Sequence, residues 1–224
     1  MSRLLPLFPL DVVLFPGARL PLHIFESRYR ALLADVLAGD SRFGLVAPAP
    51  DGEAPPEGAL GCVARVEAHQ PLADGRANIV AAGERRFVVR RYAEGDSTPY
   101  LIGLVEEFDD DEGSGDLPGD TLDMLRRLAE RCRAALGELT GLDDASPWPD
   151  DAGEFTFRVA AVMPWEAHQA RRLLAVRSAA QRADLLLRVL PQIVPELELR
   201  ASVHARAPTN GKSHQPADLG DPIG

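Results

Sequence analysis

The stretch FPGARLPLHIFESRYR, residues 15–30, combines the local patterns from which the fold of this chain can be predicted. Apolar residues lead up to Pro16-Gly17, a pair that favours a turn, and resume as LPLHI from residue 20. Beyond Ser27 the apolar residues follow a helical period: Tyr29, Leu32, Leu33, Val36 and Leu37. We therefore expect a first hairpin turned by Pro16-Gly17, followed by an amphipathic helix with Ser27 as N-cap and Gly39 as C-cap.

The chain up to residue 108 is rich in short apolar runs of strand length, separated by turn residues. These runs are VVLF (12–15), FGLVA (43–47), ALGCVARVEAH (59–69), ANIVAA (77–82), RRFVVRRY (85–92) and YLIGLVEEF (100–108). Asp74-Gly75 predicts a hairpin turn, and Gly83 is expected to break one strand from the next. Many short strands with one early helix predict a small β-barrel.

The remainder of the chain changes from strand to helix patterning. An acidic, Gly-rich segment, residues 106–120, is expected to be a solvent-exposed linker. Apolar residues then recur with a helical period up to Gly141, and Pro164 suits the first turn of a later helix. Ser178 and Gln181 form a capping box for a last helix, which Pro191 is expected to end or kink. We assign residues 1–108 to the barrel, 109–120 to the linker, 121–200 to a helical bundle and 201–224 to a disordered tail.

The composition limits the classes of protein to which the chain can belong. Its 224 residues carry 24 basic and 34 acidic side chains, a net charge of -10, which argues against binding to nucleic acid or anionic lipid. Apolar residues nowhere approach the run of about 20 that spans a bilayer, so we expect a soluble, cytoplasmic protein of bacterial type. Cys62 and Cys132 are expected to be buried free thiols.

Motifs for catalysis are weak. Gly211-Lys212-Ser213 could end a phosphate-binding loop, but Arg206 stands where that motif requires glycine. Lys212 is the only lysine, and its place in the predicted tail excludes a buried Ser-Lys dyad. Five scattered histidines include no HExxH spacing, and no GxSxG motif occurs. We therefore predict a protein that is not an enzyme and holds no metal or cofactor.

Two further groups of polar residues are expected to be structural. His23 lies between apolar neighbours and is expected to be half-buried and hydrogen-bonded to backbone. Arg85-Arg86 and Arg90-Arg91 bracket FVV, a mixture that also occurs on strands that bind nucleic acid. Since alternation puts one member of each pair on a given face and acids are plentiful, we expect ion pairs on a solvated face.

The run LPLFPLDVVLFPGARLPLHIFESRYRALLADVL, residues 5–37, resembles the start of the Lon N-terminal domain, the substrate-recognition domain of ATP-dependent protease La. GC (61–62), DGR (74–76) and GERRF (83–87) fall where that family has its strands, and residues 155–187 are similar to its closing helices. The similarity covers about residues 3 to 198. It implies a PUA-like β-barrel followed by a helical bundle, an α+β fold. Structural signature residues are Pro16, Gly17, Phe25, Tyr29 and Gly83.

The resemblance also implies a function. In the full protease an ATPase module and a Ser-Lys peptidase module follow this domain, and this chain is expected to be a stand-alone member without them. We expect a non-catalytic protein that binds exposed apolar segments of polypeptides, as an adaptor or in protein quality control. Glu26 and Arg28 are the candidate polypeptide-binding residues. The alternatives are an RNA-binding PUA-like module and a small-molecule-binding or cryptic hydrolase domain.

Overall fold

The computed structural model describes residues 2–50, 54–93, 98–113, 116–141 and 146–206. Its strands are β1 (Ser2–Pro9), β2 (Arg19–Ile24), β3 (Arg42–Val46), β4 (Leu60–Pro71), β5 (Ala77–Tyr92) and β6 (Leu101–Glu107). Its helices are α1 (Ser27–Ala38), α2 (Gly119–Thr140), α3 (Ala152–Ala161), α4 (Ala167–Leu174) and α5 (Ala179–Arg206). Strands and one helix therefore precede the other helices, as the sequence pattern predicts.

The six strands form one mixed sheet, where the sequence predicted a small PUA-like β-barrel. Their order is β2-β5-β4-β3-β1-β6, and β5 pairs in addition with β6. β1 and β3 are parallel, and every other pair is antiparallel. Hydrophobic alternation identifies strands but does not reveal their partners: the 16-residue β5 pairs with β2, β4 and β6.

Gly83 does not break a strand, contrary to the prediction, because β5 runs straight through it. A Cβ atom at this position would lie 2.2 Å from the carbonyl oxygen of Phe15. The Gly83 N–H donates to the carbonyl oxygen of Ala18 (2.9 Å), and the Gly17 N–H donates to that of Gly83 (2.8 Å). Gly83 is therefore required where the backbone before β2 crosses β5.

Pro16-Gly17 forms a turn, but it does not form the predicted first hairpin. VVLF is not a strand, and the strand that follows the turn, β2, pairs with β5 and not with β1. Gly17 has φ 73°, which glycine adopts without strain. The second predicted hairpin is confirmed: β4 and β5 are antiparallel around Asp74-Gly75, and Leu72 N–H donates to the Arg76 carbonyl at 2.8 Å.

Helix α1 buries the predicted apolar stripe against the sheet. Tyr29, Leu32, Leu33 and Val36 are all buried. The Tyr29 ring meets the Phe8 ring edge-on, with 4.1 Å between ring centroids. The N-cap is Glu26 and not the predicted Ser27, which is the first helical residue, while Gly39 is the C-cap as predicted. Local periodicity was sufficient here because the helix uses a single buried face.

The later helices extend the predicted pattern in one respect. α2 ends at Gly141 in the left-handed conformation (φ 70°), as expected, and Gln181 N–H bonds to the Ser178 hydroxyl at the start of α5. α5 continues through Pro191 and on to Arg206, beyond the predicted bundle boundary at residue 200. Its inward side remains buried throughout, which offsets the hydrogen bonds lost at Pro191 and Pro195: Leu186, Leu190, Val194, Leu197 and Ala201. Residues 207–224 of the predicted tail lie outside the described residues.

A buried arginine cluster joins the sheet to the helices and corrects two predictions. Arg86 on β5 and Arg182 on α5 are 3% and 0% exposed, and both donate to the carboxylate of Asp110. Arg86 therefore does not belong to a solvated face, and the acidic segment 106–120 is not merely an exposed linker. The Arg182 guanidinium also stacks on Phe157, with its central carbon 3.9 Å from the ring centroid.

Cys62 and Cys132 are buried free thiols, as predicted. Burial raises the pKa of Cys62 to about 12 and that of Cys132 to about 11, which keeps both thiols protonated and unreactive at neutral pH. Among the helices that the structure describes, none combines the length and apolar character needed to cross a membrane.

Candidate functional site

The candidate site is a groove that begins where β1 ends. Its first part is a hollow of about 500 Å³ between the end of β1, the start of α1 and the segment before β6. It is lined by Pro9, Leu10, Asp11, Arg28, Tyr29, Pro48, Ala54, Thr98, Pro99, Tyr100 and Leu101. Backbone pairing sets its position, because Leu10 N–H donates to the Val46 carbonyl (2.9 Å) and so extends the parallel contact of β1 with β3. Most of the lining residues are proline, aliphatic or tyrosine residues, but slightly more than half of the exposed lining is polar.

A second hollow, of about 630 Å³, continues from the first. It lies between the segment after β3 and helix α4, and it shares Asp11 and Pro48 with the first hollow. Its lining is aliphatic and proline-rich apart from one ion pair: Asp11, Ala47, Pro48, Ala49, Pro50, Pro56, Ala59, Leu60, Arg171, Leu174 and Ala175. We call the two hollows together the Asp11 groove. It passes from the sheet to the helices, which makes it suitable for an elongated ligand.

Asp11 and Arg171 form the polar point at which the two hollows meet. Asp11 Oδ1 accepts a hydrogen bond of 2.7 Å from Arg171 Nη1, across 160 residues of sequence. Their side chains are 69% and 40% exposed, so water screens the pair and its contribution to stability is small. The pair links α4 to the segment after β1 and places polar groups in the wall of the groove.

Tyr100 forms a second fixed point, at the outer wall of the first hollow. Its hydroxyl donates to Asp35 Oδ2 on α1 at 2.5 Å. Burial, together with the adjacent carboxylate of Asp35, raises the pKa of Tyr100 to about 12. The phenol therefore remains a neutral donor at physiological pH, and it holds the segment before β6 against α1. Tyrosine in this setting offers a broad apolar ring with one fixed polar end.

Of the predicted binding residues, Arg28 lines the groove and Glu26 does not. The two are joined, because Arg28 Nε donates to Glu26 Oε2 at 3.0 Å, and the Arg28 guanidinium lies 4.5 Å from the centroid of the Tyr29 ring. Tyr29 contributes to the groove as well as to the core. Asp11, Tyr100 and Arg171 were missed, since nothing in their local sequence reveals that they meet.

The other predicted signature residues lie outside the groove. Pro16 and Gly17 form the turn before β2, and a Cβ on Gly17 would lie 3.1 Å from the Arg158 side chain on α3. Phe25 is 59% exposed, and its ring stacks on that of His23 at 6.0 Å. His23 is exposed and bonds to the side chain of Asn78, which corrects the expectation of a half-buried ring bonded to backbone.

Four arginines of the sheet are paired with acids. Arg85 donates to Glu107 (2.5 Å) and Arg90 to Glu106 (2.6 Å), as predicted for these two members of the arginine pairs. On the next part of the sheet, Glu84 accepts hydrogen bonds from both Arg42 and Arg65, which lower its pKa. These arginines therefore do not form an uncompensated basic strip of the kind that binds phosphate backbones. Within the described residues, no group of three or more His, Cys, Asp or Glu side chains is placed to hold a metal ion.

Comparison with known proteins agrees with this fold. The sequence model of one protein family, the ATP-dependent protease La (LON) substrate-binding domain, matches residues 4–192. The crystal structure of a Lon N-terminal domain protein from Xanthomonas campestris is similar, with a TM-score of 0.64 and 28% identity over 84% of this chain and 98% of that one. The N-terminal domain of a Mycobacterium avium complex Lon protease has a TM-score of 0.60 at 17% identity, over 85% and 99% of the two chains, which shows the shared fold.

Whole Lon proteases are similar over a small part of their length. The Lon protease of Cytophaga hutchinsonii is 22% identical over 92% of this chain and 26% of the relative. Lon protease 2 of Myxococcus xanthus is 29% identical over 62% of this chain and 17% of the relative. The chain thus spans about a quarter or less of these relatives. Since the family model matches most of the 224 residues, the chain belongs to the family of the ATP-dependent protease La (Lon) substrate-binding domain.

Proposed function

We propose that this protein binds exposed apolar segments of polypeptides in the Asp11 groove. The observation that carries the proposal is the union, through Asp11 and Pro48, of a hollow of mixed polarity and a mainly apolar hollow in a chain of the Lon substrate-binding family. Each hollow has a volume in the range of protein ligand sites. The protein then acts as a binding domain and carries no catalysis of its own.

The chemistry of the groove supports an apolar polypeptide over a small polar ligand. A site for a small polar ligand needs convergent polar groups that are free to bind it. Here the polar side chains are already engaged, Asp11 with Arg171 and Tyr100 with Asp35. Among the described residues the one buried side-chain nitrogen or oxygen without a partner is Nη2 of Arg3, which does not line the groove. Proline and aliphatic walls favour apolar side chains by excluding water from them.

Glu26 and Arg28 belong to this proposal as rim residues. Arg28 lines the first hollow, and Glu26 holds it there through their ion pair. A polar rim around an apolar centre is the usual arrangement of a non-obligate interface. We also propose that the protein works in the cytoplasm, as an adaptor or in protein quality control, because the ligand class is unfolded polypeptide.

The test is equilibrium binding of a reduced, carboxymethylated polypeptide, followed by fluorescence anisotropy. Ala175→Glu puts a carboxylate into the second hollow from an exposed position, so the fold is expected to remain intact. Ala205→Glu, at an exposed position near the end of α5, is the matched control. We expect Ala175→Glu to weaken binding at least about 10-fold, equivalent to about 1.4 kcal/mol, and Ala205→Glu to leave it unchanged. Equal affinity of both variants and the parent would contradict the groove as the binding site.

A further inference from the structure

We propose that α5 forms an antiparallel dimer with α5 of a second copy of this chain, through its outward face. That face carries an uninterrupted series of side chains spaced alternately four and three residues apart: Leu185, Val189, Gln192, Glu196, Leu199 and Val203. This is the spacing of the a and d positions of a coiled coil. We call these six residues the α5 seam. The proposal is independent of the proposed polypeptide binding.

The seam lies mainly on the solvent side of α5, and one of its members, Val189, is partly buried and also packs against the core. The inward side of the helix is the buried stripe that runs from Ala183 to Ala201. On the seam, by contrast, Leu185, Leu199 and Val203 are 37%, 65% and 60% exposed, which is unusual for large apolar residues that repeat along one helix. A helix that is apolar on two opposite sides is expected to pack on both.

The sequence of the seam is complementary to itself when two copies run in opposite directions. A two-fold axis placed midway between Gln192 and Glu196 brings together residues of the two copies whose numbers add up to 388. Leu185 then faces Val203, Val189 faces Leu199, and Gln192 faces Glu196 of the other copy. Every apolar residue thereby meets an apolar residue, which is the condition for a closed, isologous interface.

The charges select this arrangement over a parallel one. A parallel pair would place Glu196 of one copy against the same carboxylate of the other, which is unfavourable. In the antiparallel pair Glu196 meets the Gln192 amide, a hydrogen-bond donor. Glu196 already accepts a hydrogen bond of 2.6 Å from Arg200 on its own helix, so its charge stays compensated within the interface. By the same rule Arg188 lies level with Arg200 of the other copy, but the two arginines are on opposite flanks of the seam.

The first experiment measures oligomeric state against concentration by sedimentation equilibrium. The seam covers 18 residue steps, about 27 Å of helix, which is short, so the dimer is expected to dissociate in the micromolar range. The mass is expected to rise from that of one chain at about 1 µM towards twice that value at about 100 µM. Leu199→Glu is expected to abolish the rise. Leu4→Glu introduces the same charge at a residue of similar exposure (63%) outside the seam, and is expected to leave it unchanged.

The second experiment tests the register with engineered cysteines in the full chain under mild oxidation. The double variant Val189→Cys/Leu199→Cys is expected to form a cross-linked dimer, because these positions face each other. Leu199→Cys alone is expected to remain uncross-linked, since in the antiparallel pair its partner position is residue 189. The native thiols Cys62 and Cys132 are 1% and 0% exposed and do not interfere. A single-chain mass at all concentrations, a dimer insensitive to Leu199→Glu, or cross-linking by Leu199→Cys alone would overturn the proposal.

Discussion

Replacing Asp110 by asparagine tests how the sheet is held against the helices. One carboxylate faces two buried guanidiniums here. Asp110 accepts one hydrogen bond from Arg86, at 2.5 Å, and two from Arg182, at 2.6 and 2.7 Å. The arginine side chains are 3% and 0% exposed, and that of Asp110 is 26% exposed. Asparagine keeps the shape but removes the charge, which leaves two buried cations without a counter-charge.

The expected loss follows from these contacts. Hydrogen bonds to charged groups contribute about 1.5–3 kcal/mol each, so three independent bonds would contribute about 5–9 kcal/mol. They share one partly exposed carboxylate and are not independent. The expected loss is therefore about 3–5 kcal/mol, the usual result of removing one partner of a buried pair. Urea unfolding at pH 7, followed by circular dichroism, measures it.

Glu106→Gln is the matched control, because Glu106 pairs with one exposed arginine, Arg90. It is expected to cost less than about 1 kcal/mol. Burial raises the pKa of Asp110, but Arg182 and then Arg86 outweigh burial, and the net pKa lies below 3.8. The stability that this depressed pKa contributes is thus complete above the ordinary carboxyl range and is lost as pH falls through the lower folded value. Asp110→Asn is expected to remove that part of the acid dependence. A loss equal to that of the control would refute the reasoning.

Three further predictions concern separate parts of the fold. Leu33→Ala is expected to lower the free energy of unfolding by about 2–5 kcal/mol because Leu33 is buried, whereas Arg28→Ala changes it by less than about 0.5 kcal/mol; equal effects in urea unfolding would contradict the inward stripe of α1. Gly83→Ala is expected to cost at least about 1–3 kcal/mol, because its Cβ would lie 2.2 Å from a carbonyl oxygen; an unchanged melting temperature would exclude this close approach. In ultraviolet titration, one tyrosine is expected to ionise near pH 12, and this step is expected to be absent in Tyr100→Phe. The raised pKa of Tyr100 stabilises the fold below pH 10, and this stabilisation disappears as the pH rises towards 12. Ionisation of Tyr100 near pH 10 would contradict its hydrogen bond to Asp35.

Predictions from local pattern succeeded where one buried face determines the structure. The stripe of α1, the Asp74-Gly75 hairpin and the end of α2 at Gly141 all depend on residues close in sequence. Pro16-Gly17 was correctly expected to turn, but its strand partners were not, since pairing depends on distant segments. Gly83 shows the same limit: its role depends on Phe15, 68 positions earlier in the chain.

The candidate site could be predicted only in part. Alternation correctly put Arg85 and Arg86 on opposite faces, but it could not indicate that Arg86 faces the helices and is buried. Arg28 was found because it lies in the family's opening stretch. Asp11, Tyr100 and Arg171 each look like ordinary surface residues in the sequence. They line one groove only because the segment after β1, the segment before β6 and helix α4 lie next to it in the fold.

The position of the bound polypeptide tests the central claim most directly. Isotope-labelled protein is titrated with an unlabelled, carboxymethylated polypeptide, and the backbone amide shifts are followed by NMR. The account predicts shift changes concentrated at the Asp11 groove, at Leu10, Ala49, Leu101 and Ala175, with little change at Leu4 on the exposed side of β1 or at Leu199 on α5. Changes centred outside the groove, or no change at saturating polypeptide, would contradict it.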